Sequence, residues 1–184
     1  MLKYDYFSIL CKLTDKSREA VEYACQSSSS PPQRIAGMRA DSQKMLCELE
    51  RALLAEFLPP LDRASIAAYA HALCEITDAA ITYASLSHAC SRLTQRGGIE
   101  DVCLSLCDLL LEGTALLQGI KKSSDAPKLE EFREKKGVAM RSLCEEALAA
   151  QTPRSSKIFN ARRELMSSIS RAFDVLVELI LKNI

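Results

Sequence analysis

Few residues of this 184-residue chain have the types and spacing that chemistry needs. Cys103 and Cys107 stand four apart in an apolar segment, a spacing that puts two thiols on one helical face. Two thiolates are half of a tetrahedral zinc site, and a second Cys or His pair must complete it. The two histidines, His71 and His88, form no such pair. Core packing is the favoured reading for both thiols. It extends to Cys11, Cys25, Cys47, Cys74, Cys90 and Cys144, which also sit among Leu, Ala and Val; free cysteine is among the most buried residue types. Glu75 and Asp78 are read as pointing about 100° apart, too divergent for a general acid/base pair. One is expected to meet an arginine or solvent and the other to cap a polar layer. Glu131 and Lys135 read as a solvated helix-face pair worth ~0.2–0.5 kcal/mol. There is no Gly-rich phosphate loop and no nucleophile with a recognisable partner. No catalytic residue and no cofactor is therefore expected.

Composition narrows the function classes. The chain holds 24 basic and 24 acidic residues, a formal net charge of zero, and so has no global pull toward nucleic acid or anionic membrane. No apolar run approaches the ~18–20 residues of a membrane span, and the apolar stretch within MLKYDYFSILCK is too short for a secretory signal. A cytoplasmic protein is expected, with no nucleic-acid partner, reaching a membrane only through another protein. The length suits one domain, or two small repeats sharing one core.

Periodicity gives helices and no alternating strand pattern, so the fold class is all-α. A first helix is predicted over 4–26, with Phe7, Leu10, Cys11, Val21 and Ala24 inward, ending at the breaker cluster Ser27 to Pro32. A second spans about 33–57, with Ile35, Met38, Met45, Leu46, Leu49 and Leu53 recurring at three- and four-residue steps. Pro59 and Pro60 end it. The third opens on Asp62 as N-cap, whose carboxylate can accept from an amide near Ser65; Ile66, Tyr69, Leu73, Ile76 and Ala80 are its buried stripe. After Gly97 and Gly98, a fourth carries Ile99, Val102, Leu106, Leu110, Leu117 and Ile120 and fades into the turn Lys121 to Asp125. A fifth, with Pro127 in its first turn, carries Leu129, Phe132, Met140, Leu143 and Ala147. Thr152 and Pro153 precede a sixth with Leu165, Met166, Ile169, Phe173, Leu176, Ile180 and Leu181. Its end, Val175 to Leu181, reads either as core or as an extension into a homodimer seam.

The stretch Glu56 to Asp78, EFLPPLDRASIAAYAHALCEITD, holds Phe57, Pro60, Asp62, Arg63 and Ile66 in order. It resembles the PhoU-like family, in particular the phosphate-transport regulators that accompany Pit-type phosphate permeases. In that branch a helix ends in Phe, a short Pro turn follows, and the next helix starts Asp-Arg-acid-acid-Ile. The resemblance covers nearly the whole chain and implies an elongated six-helix bundle of two three-helix repeats, about 1–93 and 94–184. An ungapped internal match sets Ile35, Met38, Arg39, Leu46 and Leu49 against Leu129, Phe132, Arg133, Met140 and Leu143, with the breaks in matching order. The implied function is non-enzymatic: an accessory or regulatory protein acting by contact with a permease at the cytoplasmic membrane face. A helical scaffold that kept the fold and lost the phosphate role is the alternative.

The family also carries metal-binding acid pairs four residues apart on four helices. Aligned on the PPLDR turn, this chain has Arg39 and Gln43 in the second helix, and Cys74 and Asp78, with Glu75 beside, in the third. The fifth gives Arg133 and Gly137. The sixth gives Arg163 and Ser167, or Ser167 and Arg171 in a shifted register. Glu75 and Asp78 are thus residual acids, and a cation needs more anionic ligands than these. No family-type metal cluster is expected. Two readings of this face stand open: Arg39, Arg133 and Arg163 bind phosphate or a partner's carboxylates through guanidinium forks, or their long stems cover the bundle with the charged heads in water.

Overall fold

The computed structural model describes residues 5–26, 32–55, 61–89, 99–119 and 156–182, together with helical positions 130, 131, 133, 134, 137, 138 and 141. Five helices are delimited: α1 (Tyr6–Gln26), α2 (Pro32–Ala55), α3 (Arg63–Ala89), α4 (Ile99–Gly119) and α5 (Ser156–Leu181). Among the described residues there is no strand. The predicted stripe of Leu129, Phe132, Met140, Leu143 and Ala147 lies outside them, as do Cys90, Cys144 and the Gly97-Gly98 break.

Short polar side chains fix where helices begin. Asp5 accepts from the Ser8 amide at 3.0 Å ahead of α1. Pro32 occupies the first position of α2, where its missing amide hydrogen costs nothing. At α3 the predicted cap is present: Asp62 Oδ2 accepts from the Ser65 amide at 2.9 Å and the Ser65 hydroxyl at 2.5 Å, and its carbonyl accepts from the Ile66 amide at 3.0 Å. The Ser65 hydroxyl and amide hold the Asp62 carboxyl below its ordinary pKa.

Four helices close a cycle in which α1 packs on α3, α3 on α5, α5 on α4 and α4 on α1; α2 lies against α1 and α3. The most extensive contact is α3 with α5. The core fills the cycle with Tyr6, Leu10, Leu13, Ile66, Tyr69, Leu73, Ile76, Leu106, Leu110 and Phe173, and Leu49 joins it from α2. All five positions of the predicted α3 stripe are buried. Two readings need correction. Leu181 is 48% exposed, because the apolar stripe of α5 ends at Ile180, one residue before the helix does. Cys47 is exposed: Leu46 and Leu49 carry α2 onto its neighbours, and Cys47, one step round the helix, points away.

Hydroxyls thread this core. The Thr114 hydroxyl lies 2.7 Å from the Tyr69 hydroxyl and 3.2 Å from that of Thr14, joining α4, α3 and α1. Ser17 donates to the Leu73 carbonyl at 2.8 Å, and Thr77 lies between Ser17 and Ser42, at 3.4 and 3.5 Å. Small side chains let the helices approach closely, and each of these six buried hydroxyls finds a partner. Cys74 donates its thiol to the Ser42 carbonyl at 3.8 Å.

Burial pushes the Cys74 and Cys107 thiols up to about 12, with the nearby carboxylates of Asp78 and Glu50 adding to the shift at Cys74. A thiol whose folded pKa exceeds its unfolded value stabilises the fold fully below about pH 8.5 and loses that contribution as pH rises toward the folded value. The free energy of urea unfolding is predicted to fall with pH above that point, and Cys74→Ala or Cys107→Ala each to flatten the slope by up to one proton. An unchanged slope in both variants contradicts the assignment.

Candidate functional site

Because α3 is enclosed by α1, α2 and α5, most of its circumference is buried and its exposed polar residues after Arg63 share one open stripe. After Arg63 its exposed positions are Ala64, Ala68, His71, Glu75, Thr82 and Ser85, with half-buried Asp78 in the same line. Steps of four and three keep such a stripe on one face of a helix. Glu75 and Asp78 are three apart and lie side by side on it. They do not diverge as adjacent positions would, which corrects the sequence reading.

Partners reach this stripe from both flanks. From α2, Arg39 Nε meets Asp78 Oδ1 at 2.6 Å, and Glu50 Oε1 meets His71 Nε2 at 3.0 Å. From α5, Arg171 Nη2 lies 3.2 Å from Glu75 Oε2, 3.3 Å from Glu164 Oε1 and 3.2 Å from Ser168 Oγ. Both acids therefore meet arginines, and neither caps a polar layer. Glu75, Asp78, Ala79 and Thr82 of α3 and Ala161, Glu164, Ser168 and Arg171 of α5 line an open groove of about 350 Å³.

The electrostatics of the groove are nearly balanced. Three carboxylates of the lining, Glu75, Asp78 and Glu164, meet two guanidinium groups, Arg171 of the lining and Arg39, which reaches Asp78 from α2 outside it. A hard cation needs several oxygens directed at one point, and here those oxygens are directed at arginine nitrogens. Among the described residues no group of three or more His, Cys, Asp or Glu could hold a metal ion. The same pairing limits anion binding, since phosphate would have to displace a carboxylate from each guanidinium. Arg39 and Asp78 are 52% and 46% exposed, so solvent weakens their attraction to about 1 kcal/mol or less.

The structure brings together Arg39, Asp78 and Glu75 of the sequence-predicted residues. Arg163 is exposed on another face of α5, and its place is taken by Arg171, the arginine of the shifted register. Arg133 is an exposed helical position and is absent from the groove lining. Sequence reasoning missed Glu164 and Ser168. The signal was available: Glu164, Ser168 and Arg171 step by four and three, as Glu75, Asp78 and Thr82 step by three and four.

A second charged cluster was also missed, and it is buried. Arg162 Nη2 lies 2.5 Å from Glu100 Oε1, with side-chain exposures of only 16% and 10%. Tyr83 donates its hydroxyl to the same Glu100 oxygen at 2.8 Å, and the Arg162 guanidinium lies 5.7 Å from the Tyr83 ring centroid. This joins α3, α4 and α5 beyond one end of the groove. Removing one partner of a buried pair leaves the other charge uncompensated. Arg162→Met is predicted to cost about 3–5 kcal/mol of folding stability, against about 1 kcal/mol or less for Arg39→Met. Equal losses in chemical denaturation would contradict the distinction.

Neither a protein-family model nor a curated protein matches this sequence. Its fold does have a counterpart. A crystal structure described as that of a PhoU-like phosphate regulatory protein, from Shewanella oneidensis MR-1, aligns with TM-score 0.63 over 98% of this chain and 100% of its own, at 11% identity. At that identity the likeness concerns the path of the backbone: this chain has a helical fold similar to that of a PhoU-like protein, in agreement with the all-α class expected from the sequence.

Proposed function

We propose that this chain is a non-enzymatic accessory or regulatory protein of inorganic phosphate transport. It acts by protein contact at the cytoplasmic face of a Pit-type permease and works without the family's metal cluster. The fold likeness supports the phosphate-regulatory part of this reading, and the Phe57-Pro60-Asp62-Arg63-Ile66 order supports the permease-associated branch. Two three-helix repeats, about 1–93 and 94–184, are part of the same proposal.

The observation that carries the metal-free part is the pairing of Arg39 with Asp78 and of Arg171 with Glu75 and Glu164. Guanidinium groups are fixed charges at any physiological pH, and they stand where a ligand set would otherwise present its carboxylates to a cation. These pairs link α2 to α3 and α3 to α5 without a metal to load or lose. The same internal pairing favours a second reading, a scaffold that kept the fold and left phosphate behind, because neither arginine is poised for an anion.

Phosphate uptake separates the two. Deleting the gene is predicted to change the rate of phosphate uptake, and restoring the chain to return it. Unchanged uptake, with co-purification of partners unrelated to transport, would sink the permease reading and favour the scaffold.

A further inference from the structure

Three cysteines converge where the end of α1 meets the start of α4. Cys25 Sγ lies 3.9 Å from the carbonyl oxygen of Glu100, in the first turn of α4. Cys103 is three residues further along, and helical side chains lean back over the preceding turn, so its side chain covers the turn that Cys25 touches. Cys107 continues that face one turn on. Cys103 and Cys107 are buried, Cys25 is half-buried, and all are unbridged. The three do not form a group that could hold a metal ion. Covalent sulfur chemistry is the use that remains open to them.

We propose that Cys25 and Cys103 are an oxidative modification site, closing an intramolecular disulfide between α1 and α4 by exchange with a low-molecular-weight disulfide. The helices pack directly on each other. Packed helix axes 8–10 Å apart, with Cα atoms about 2.3 Å off each axis, bring facing Cα atoms to about 3.4–5.4 Å, and the upper part of that range meets the roughly 4.4–6.8 Å of a disulfide.

Accessibility sets the order of events. Half-buried Cys25 reacts first: its thiolate attacks one sulfur of the reagent, the reagent's S–S bond breaks, and one thiolate leaves. Cys103 then gives up its proton to solvent and attacks the Cys25 sulfur, releasing the second thiolate. Two protein thiols are oxidised, the reagent disulfide is reduced to two thiols, and the two protons lost by the protein end on them. Burial raises the Cys103 pKa, which makes the second step the slow one.

The bond would close a long loop of chain and restrict the unfolded state. Purified protein treated with excess oxidised glutathione and mapped by mass spectrometry without reduction is expected to show a Cys25–Cys103 cross-link. The melting temperature should rise by roughly 5–15 °C and fall back with dithiothreitol. Cys25→Ser and Cys103→Ala should abolish both effects, and Cys107→Ala should keep them. Glutathione left on Cys25 in the parent protein, a cross-link that uses Cys107, no reaction, or a cross-link without a thermal shift would each overturn the proposal.

Discussion

The enclosure of α3 governs the rest of the structure. A helix packed against three others has to bury nearly its whole circumference, so Ile66, Tyr69, Leu73, Ile76 and Ala80 face the cycle and small residues fill the remaining contacts. After the first turn one stripe is left for charged side chains, and it opens between α2 and α5. Glu75 and Asp78 must emerge there, where any charge they carry is answered by whatever those two helices present. In this chain the answer is Arg39 on one side and Arg171 on the other.

Within that enclosure two kinds of polar contact do different work. The groove pairs are half-exposed, and each contributes little to stability because water competes for both partners. The interior contacts are buried: the hydroxyls of Thr14, Tyr69 and Thr114, and those of Ser17, Ser42 and Thr77, link four helices. Glu100 and Arg162 add a buried charge pair that Tyr83 completes. A slip of one helix by one residue would strand these groups in an apolar core, which penalises alternative registers.

Much of the fold was legible in the sequence, because helix periodicity and local capping are local properties. Asp62 caps α3 as its position before Ser65 suggests, and the apolar stripes of α3 and α5 lie inward up to Ile180. What the pattern could not give was the hydroxyl layer. Thr14, Ser17 and Thr77 count as polar on any hydropathy scale, and only their neighbours decide that they are buried. Cys47 failed for the converse reason: it looks apolar, but it lies off the face by which α2 packs on α1 and α3 among the described residues.

The site was legible in part. Arg39 and Asp78 were singled out as separate positions, and their pairing appeared only when α2 was laid on α3. The choice between Arg163 and Arg171 turned on the rotation of α5, which single-sequence alignment leaves open by a turn. Glu164 was signalled only by its four-and-three step to Ser168 and Arg171, and it joins the groove because Arg171 bridges it to Glu75. The common thread is that the carboxylates of this face are directed at guanidinium nitrogens. Metal analysis of protein purified without chelator tests this most directly. The account predicts iron and zinc far below one per chain, whereas near-stoichiometric metal that is lost in Asp78→Asn would contradict it.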